Sequence, residues 1–304
     1  MWLGISAVGL IVSLALISLL LHWPQRVFAG FAPAFDADVI GLIWIIALYS
    51  ALHMPLDYIG GYWLPCHFSR QCLMFPFFAS QYIRGFLLQS LFLIGSGLLI
   101  LQAGRFGGRW AVMVILAMVM LLMVEAQDWI ARLVGGLSVT SSEWIAGRRV
   151  VMISGMDSGF SGGLAGLPGR ERIIFPALWQ KVLPKPLLGL ETERRSATIK
   201  TGCRLRGLCL AMAWNLSGFY LSSLLPGAGV ATLAELFRTA RGFTIWSFTG
   251  LLLLPTLSRY AVYEMDQVAR LRGMAEEEFA LPGFSEPRCS LQCRPELWVM
   301  LPVD

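Results

Sequence analysis

Histidine, the residue best suited to metal or acid–base chemistry, is scarce in this chain and confined to its first quarter. Of the 304 residues, three are histidines: His22, His53 and His67. Hydrolysis by a zinc ion needs three converging protein ligands and a base beside the bound water. The histidines alone give no such set; Cys66, His67 and Cys72 could act as three ligands, but structural thiols fit their spacing better. We therefore predict no metal centre and no cofactor.

One short motif could supply a nucleophile. Gly159-Phe160-Ser161-Gly162-Gly163 matches G-x-S-x-G, the turn that presents a catalytic serine between a strand and a following helix. The strand predicted at 150–153 ends several residues too early, and the glycines and proline at 166–169 disfavour a helix behind the turn. No histidine lies on this segment to accept the Ser161 proton. We interpret the motif as part of a glycine-rich loop.

The same loop carries no phosphate-binding pattern. G-x-x-x-x-G-K-[ST] requires a Lys-Ser or Lys-Thr pair, G-x-G-x-x-G requires a fixed spacing behind a strand, and both are absent. The net charge of +5 is small, and the aromatic residues lie mostly within apolar runs. These features predict no nucleotide and no nucleic-acid ligand.

Paired carboxylates are a further source of acid–base chemistry. Glu125 and Asp128 lie one helical turn apart where an apolar segment ends, and Glu264 and Asp266 lie further towards the C-terminus. The first pair fits a solvated or arginine-paired helix end better than an acid–base pair. The second pair has nearby arginines, such as Arg259, as ion-pair partners.

The composition places these residues in a membrane protein. Hydrophobic residues make up 56% of the chain and charged residues 14%, and the mean hydropathy is +0.65. An average soluble domain is closer to a quarter charged. Six apolar segments are candidate spans, at 2–21, 39–54, 86–102, 110–124, 208–225 and 243–257. We expect a lipid bilayer to surround them.

The predicted fold class is mainly α: a polytopic membrane helix bundle of about six spans with a small cytoplasmic α+β segment. Residues 150–153 and 172–175 are predicted to be strands, because they are rich in β-branched residues, and to pair as a long-looped β-hairpin. Helices are predicted at 177–183 and 191–206 around them. Four parts follow: 1–124 with four spans, 125–205 as the cytoplasmic segment, 206–257 with two spans, and 258–304 as a cytoplasmic helix and extended tail.

The arginines set the expected orientation. Their excess on 125–205 and on the C-terminal part predicts that both face the cytoplasm, as in a bacterial inner membrane. Six cysteines fall on or next to segments assigned to that side: Cys66, Cys72, Cys203, Cys209, Cys289 and Cys293. Because disulfides are rare in a reducing compartment, we expect reduced thiols. Their spacing also lacks the paired short intervals of a zinc site.

The order of these features resembles the CAAX prenyl endopeptidase type of membrane zinc metallopeptidase. The stretch Ser154–Trp179 (SGMDSGFSGGLAGLPGRERIIFPALW) looks like that family's hairpin region. Ser258–Asp266 (SRYAVYEMD) looks like its last motif, S-R-x-x-E-[YF]-x-A-D. The resemblance implies a membrane fold, a hairpin groove, and a helix bearing H-E-x-x-H between the two motifs.

The chemistry implied by the resemblance does not carry over. The helix expected to hold H-E-x-x-H reads ERRSATIKTG at 193–202, with no histidine, and Val262 stands where the third metal ligand should be. Arg194, Arg195 and Lys200 would repel a dication. We therefore expect a degenerate member of the group that lacks its metal ligands and its catalytic glutamate.

The expected function is binding rather than catalysis. A retained scaffold without metal ligands suits an accessory or assembly subunit for a protein partner in the membrane. The alternative is an active endopeptidase with an unconventional site. A transporter is disfavoured because the spans hold almost no charge, and Asn215 fits an interhelical hydrogen bond. The candidate groove consists of Gly159, Phe160, Ser161, Arg172, Glu264 and Asp266.

Overall fold

The computed structural model describes residues 2–21, 27–28, 34–67, 74–154 and 162–271, the last seventeen by their backbone. Over these residues the chain is mostly helical and contains one small sheet. It divides into a first unit, residues 1–137 and 209–252, and a second unit, residues 138–208 and 253–304. The boundaries predicted at 124, 205 and 257 stay predictions.

The helices are α1 (Trp2–Leu20), α2 (Phe35–Tyr58), α3 (Leu64–His67), α4 (Phe75–Glu125), α5 (Gln127–Gly135), α6 (Trp179–Val182), α7 (Lys185–Lys200), α8 (Cys203–Ser222) and α9 (Leu233–Leu271). A single π-helical turn, Ile59–Trp63, joins α2 to α3. The strands are β1 (Ser138–Ile145), β2 (Arg148–Ser154), β3 (Gly163–Ala165) and β4 (Arg172–Pro176).

Helix α4 is two helices joined at one residue. Its 51 residues are interrupted only at Gly108, whose φ of 63° and ψ of −158° are not helical. At about 1.5 Å per residue an unbroken helix of this length would run far beyond the roughly 30 Å hydrocarbon core of a bilayer. The break separates the segments predicted at 86–102 and 110–124, as two spans require.

The prediction of six spans is only partly matched. Among the described residues, two helices are long and apolar enough to cross a membrane, Phe35–Trp63 and Phe75–Glu125, and Ile11–Leu20 is a shorter apolar helix. The segments predicted at 208–225 and 243–257 lie largely in α8 and α9. The structure therefore supports a membrane protein without confirming the number of spans.

Close backbone contact holds the first unit together beside its apolar core. The core residues are Phe28, Leu42, Leu101, Val112, Phe219, Val230, Leu233, Leu236 and Phe237. A Cβ atom on Gly104 of α4 would overlap the carbonyl oxygen of Val230. Only glycine therefore lets the loop before α9 lie directly against α4.

The sheet of the second unit has the strand order β1-β2-β4-β3. Strands β1 and β2 form a hairpin whose turn residues Ala146 and Gly147 both have positive φ, 47° and 70°. Positive φ at both positions matches the right-handed twist of the strands. Strand β3 pairs with β4 in the antiparallel direction. The sheet thus contains two antiparallel pairs around a central parallel one.

Both predicted strands exist, within β2 and β4, but the predicted pairing was wrong. They are neighbours that run parallel, with Val150 opposite Ile173. A parallel pair needs a crossover rather than a turn, and the long connection supplies one in which β3 occupies the antiparallel side of β4. The true hairpin partner of β2 is β1, a polar strand that the sequence analysis did not predict.

Helix α7 packs on this sheet. The shared core consists of Val150, Met152, Ile173, Phe175 and Leu188. Pro186 lies in the first turn of α7, where a missing N–H costs nothing, so the helix begins at Lys185 rather than at the predicted residue 191. The predicted helix 191–206 is also wrong at its end, because Gly202 has a φ of 70° and separates α7 from α8.

Candidate binding site

The six residues of the predicted groove are only partly visible. Gly159, Phe160 and Ser161 lie outside the described residues. Glu264 and Asp266 lie two positions apart in α9, where the backbone alone is described. Arg172 begins β4 and is exposed. The groove as a whole stays a prediction.

The best-defined polar contacts of the second unit belong to Arg195 of α7. Its Nη1 donates hydrogen bonds to the carbonyl oxygens of Ile174, at 2.7 Å, and Gly163, at 3.3 Å. The guanidinium carbon lies 4.4 Å from the ring centre of Phe175 and 5.7 Å from that of Trp179. Arginine suits this position because its planar cation can stack on rings and donate within its plane at once. Arg195 therefore fastens α7 to β3 and β4.

Glu191 supplies the negative charge beside this arginine. Its carboxylate lies 3.8 Å from Nε of Arg195 and 3.6 Å from Nη1 of Arg194. The side chains of Glu191 and Arg195 are 17% and 14% exposed, so solvent screens the pair only in part. The cluster is consistent with a structural role in which the positive charge of α7 is partly neutralised.

A second arginine covers the edge of the sheet. Arg204 of α8 donates to the carbonyl oxygens of Leu164, at 3.0 Å, and Gly166, at 2.6 Å. Burial lowers the pKa of the Arg204 guanidinium, and the Glu171 carboxylate opposes that shift. Edge strands expose unpaired carbonyl groups that invite another strand. By donating to the carbonyl oxygens of Leu164 and Gly166, Arg204 satisfies two such groups in β3 and directly after it.

Two buried hydroxyl groups lie on the inward face of α7, which the sequence analysis missed. Thr192 and Ser196 are one turn apart and fully buried. Oγ1 of Thr192 donates to the carbonyl oxygen of Leu188 at 2.8 Å, while the Ser196 hydroxyl has no hydrogen-bond partner among the described residues. Together with Glu193 they read T-E-R-R-S, the spacing of H-E-x-x-H with hydroxyl residues at both histidine positions.

This frame differs from the stretch 193–202, in which we counted the glutamate of the motif as lost together with its histidines. In the T-E-R-R-S frame a glutamate, Glu193, follows the first position, and it is half-buried. The T-E-R-R-S frame can be read from the sequence, but threonine and serine are not residues that a search for metal ligands selects.

The histidines of the described residues contact aromatic rings. His53 lies 4.1 Å from Tyr49 between ring centres, and His67 is stacked on Trp63 at 5.1 Å. No three His, Cys, Asp or Glu side chains in the described part of the chain lie close enough to hold a metal ion.

The expectation of reduced cysteines was wrong for Cys66, which is disulfide-bonded. Cys203 and Cys209 are free thiols. A disulfide is typical of an oxidising compartment, whereas the arginine distribution placed this part of the chain on the cytoplasmic side. The disulfide and the arginine distribution therefore indicate opposite sides of the membrane for the segment around Cys66.

One of the two carboxylates near the end of α4, Asp128, behaves as predicted for a helix end. Asp128 of α5 is buried and lies 3.5 Å from Arg132, one turn further on. Its charge is therefore committed to an ion pair, as the sequence analysis favoured.

Comparison with known proteins supports the fold. No protein-family model matches the sequence, and no curated protein matches it. Among solved structures, the chain is similar to Ste24p of S. mikatae, a CAAX prenyl protease, with a TM-score of 0.59 at 16% identity, over 83% of this chain and 68% of that one. The chain thus shares the fold of Ste24p over most of its length.

Proposed function

We propose that this chain is a catalytically inactive form of the membrane metallopeptidase fold, and that it acts by binding a protein partner in the membrane as an accessory or assembly subunit. The observation that carries the proposal is the pair Thr192 and Ser196, fully buried one turn apart on α7. In this proposal α7 is the counterpart of the helix that bears H-E-x-x-H.

The chemistry of those side chains supports the loss of zinc. Zinc is held by thiolate, imidazole or carboxylate groups, and a full ligand set contributes about 10–16 kcal/mol. A threonine whose hydroxyl already binds the Leu188 carbonyl and a neutral serine cannot replace two imidazoles. Val262 at the third position offers no donor atom at all.

The positive charge on α7 also disfavours the binding of zinc. Arg195 lies on this helix one residue before Ser196, and its guanidinium is held in place by the Ile174 carbonyl and the Phe175 ring. A fixed cation within a few ångströms of a metal position raises the free energy of binding a dication. A scaffold that keeps its sheet but carries an arginine on this turn of α7 is better suited to holding a partner than to hydrolysis.

Metal content and proteolysis test the proposal together. The full chain, purified in detergent and incubated with zinc, is expected to hold far less than one zinc per chain by plasma mass spectrometry and to leave peptides uncleaved. Stoichiometric zinc would overturn the proposal. Peptide cleavage that disappears in Glu193→Gln would establish instead the second candidate, an endopeptidase with an unconventional site, which the half-buried Glu193 favours.

The partner is expected at the groove that includes Arg172. A photo-crosslinking residue in place of Arg172, which is exposed on β4, should capture a membrane protein in native membranes. The same residue in place of Arg149, exposed on the neighbouring hairpin, is the control. Equal capture from both positions, or capture from neither, would contradict a specific groove.

The proposed location is the bacterial inner membrane, with 125–205 and the C-terminus in the cytoplasm. The arginines support this orientation and the Cys66 disulfide opposes it. Alkaline phosphatase fused after Gly147, in the β1–β2 turn, should stay inactive if the turn is cytoplasmic, because that enzyme needs its own disulfides. An active fusion would reverse the assignment.

A further inference from the structure

A pocket of about 490 Å³ lies in the first unit, away from α7 and the sheet. Its wall is formed by the break in α4 at Gly108, by the loop 228–231 before α9, and by four side chains. These are Arg109, Trp110, Tyr220 and Glu235. One cation, one carboxylate and two aromatic rings thus face a single cavity.

The loop that forms one wall is held firmly in place. Thr232 and Glu235 form a capping box at the start of α9: the Glu235 N–H donates to the Thr232 hydroxyl at 3.3 Å, and Oε2 of Glu235 accepts from the N–H groups of Thr232 and Ala231. Arg105 donates to the carbonyl oxygen of Ala231 at 3.0 Å. These hydrogen bonds therefore fix one wall of the pocket, which is not a gap beside a loosely held loop.

The two arginines at the break differ in how their charge is balanced. Arg105 is neutralised by Asp38, with guanidinium and carboxylate atoms 2.7 Å apart. Arg109 makes one hydrogen bond, to the carbonyl oxygen of Ser223 at 3.1 Å, and meets no carboxylate partner within the described residues. Four of its five N–H donors are thus left for a ligand.

Glu235 also keeps bonding capacity. Its Oε2 caps the helix, whereas its Oε1 accepts no hydrogen bond within the part of the chain that is described. A ligand that satisfied both side chains would carry an anionic group and a cationic group a short distance apart.

The aromatic residues show where such a ligand comes from. Trp110 is 75% exposed, begins the second half of the apolar helix α4, and has its ring centre 5.8 Å from that of Tyr220. Tryptophan and tyrosine at the end of a membrane-spanning helix lie at the level of the lipid headgroups. A pocket lined by these two rings is therefore expected at the level of the phospholipid headgroups.

We propose that this pocket binds the headgroup of a phospholipid that carries a primary amine, with its phosphate on Arg109 and its ammonium group on Glu235. Guanidinium–phosphate and ammonium–carboxylate pairs are both charge-assisted and stronger than neutral hydrogen bonds. The acyl chains lie along Trp110 and the apolar surface of α4. The site would make the protein dependent on one lipid class.

Native mass spectrometry of the delipidated full chain with phosphatidylethanolamine, phosphatidylglycerol and phosphatidylcholine of matched acyl chains tests this. The wild type is expected to retain phosphatidylethanolamine best. Arg109→Gln should weaken retention of phosphatidylethanolamine by about tenfold or more, the effect of roughly one charge-assisted bond. Arg149→Gln, which removes the same charge from the β-hairpin, should change nothing.

Glu235→Gln separates the two halves of the headgroup. Glutamine also serves at this position of a capping box, so the fold should be kept, and the thermal unfolding temperature checks that it is. This variant should bind phosphatidylethanolamine and phosphatidylglycerol equally. Unchanged lipid retention by Arg109→Gln, or no preference for phosphatidylethanolamine in the wild type, would overturn the proposal.

Discussion

Nη1 of Arg195 lies 2.7 Å from the carbonyl oxygen of Ile174, so one side chain of α7 holds the central strand β4 by its backbone. The contact adds a polar link between two elements that also share an apolar core. It fixes the position of the helix on which the proposed loss of catalysis rests.

Replacing Arg195 by alanine should destabilise the second unit. The variant loses charge-assisted hydrogen bonds to Ile174 and Gly163 and the stacking on Phe175, and we expect a loss of about 2–3 kcal/mol. Denaturant unfolding in detergent measures it. Lys200→Ala, at an exposed position of the same helix, is the control, and a loss of equal size there would show that the contacts contribute little.

Breaking the ion pair between Asp38 and Arg105 should cost more. Asp38 is 2% exposed, and Asp38→Asn leaves the guanidinium with an uncompensated charge, so we expect about 3–5 kcal/mol of destabilisation. Asp36→Asn, in the same first turn but exposed, should stay within about 0.5 kcal/mol of the wild type. The double variant Asp38→Asn/Arg105→Gln should lose less than the sum of the single losses, and simple additivity would contradict direct pairing.

A methyl group at residue 104 should separate the loop before α9 from α4. Because a Cβ atom there would overlap the Val230 carbonyl oxygen, Gly104→Ala is expected to destabilise the first unit by about 1–3 kcal/mol. Gly95 lies in the same helix with nothing near its Cβ position, so Gly95→Ala should be neutral or stabilising by up to about 1 kcal/mol. Thermal unfolding of the two variants compares them directly, and the opposite order would refute the close approach.

The zinc site should be recoverable if α7 is the counterpart of the H-E-x-x-H helix. The triple variant Thr192→His/Ser196→His/Val262→Glu supplies two imidazoles one turn apart and a carboxylate, the ligand set of a catalytic zinc site. We expect it to bind zinc near one per chain where the wild type does not. The control is Gly189→His/Glu193→His with the same Glu, which places two histidines one turn apart on another face of α7. Equal zinc in both would show that the register is wrong.

The sequence predicted those elements whose pattern is local. Strands β2 and β4 stand out because buried β-branched residues are continuous there, and the end of α4 was predicted from the end of its apolar segment at residue 124. Strand β1 was not predicted because its outer edge is solvated and its residues, Ser138 to Ile145, are mostly polar. Parallel pairing of β2 and β4 depends on a crossover, which neither strand encodes.

The polar contacts could not be predicted from the sequence for a different reason. That Arg195 would bind two backbone carbonyls depends on where α7 lies on the sheet, and a cationic helix is equally compatible with a solvated face. The hydroxyl groups of Thr192 and Ser196 were overlooked because nothing in their residue type signals a buried position. The disulfide of Cys66 was missed because the compartment was inferred from charge alone.

The two halves of α4 are joined by Gly108 alone, so the connection offers almost no non-helical backbone that another molecule could bind. Because Gly108 is the single non-helical residue within α4, the connection contains no extended stretch long enough for a protease or an antibody to bind. An inserted epitope or cleavage sequence would have to unwind helix on both sides before it could be reached.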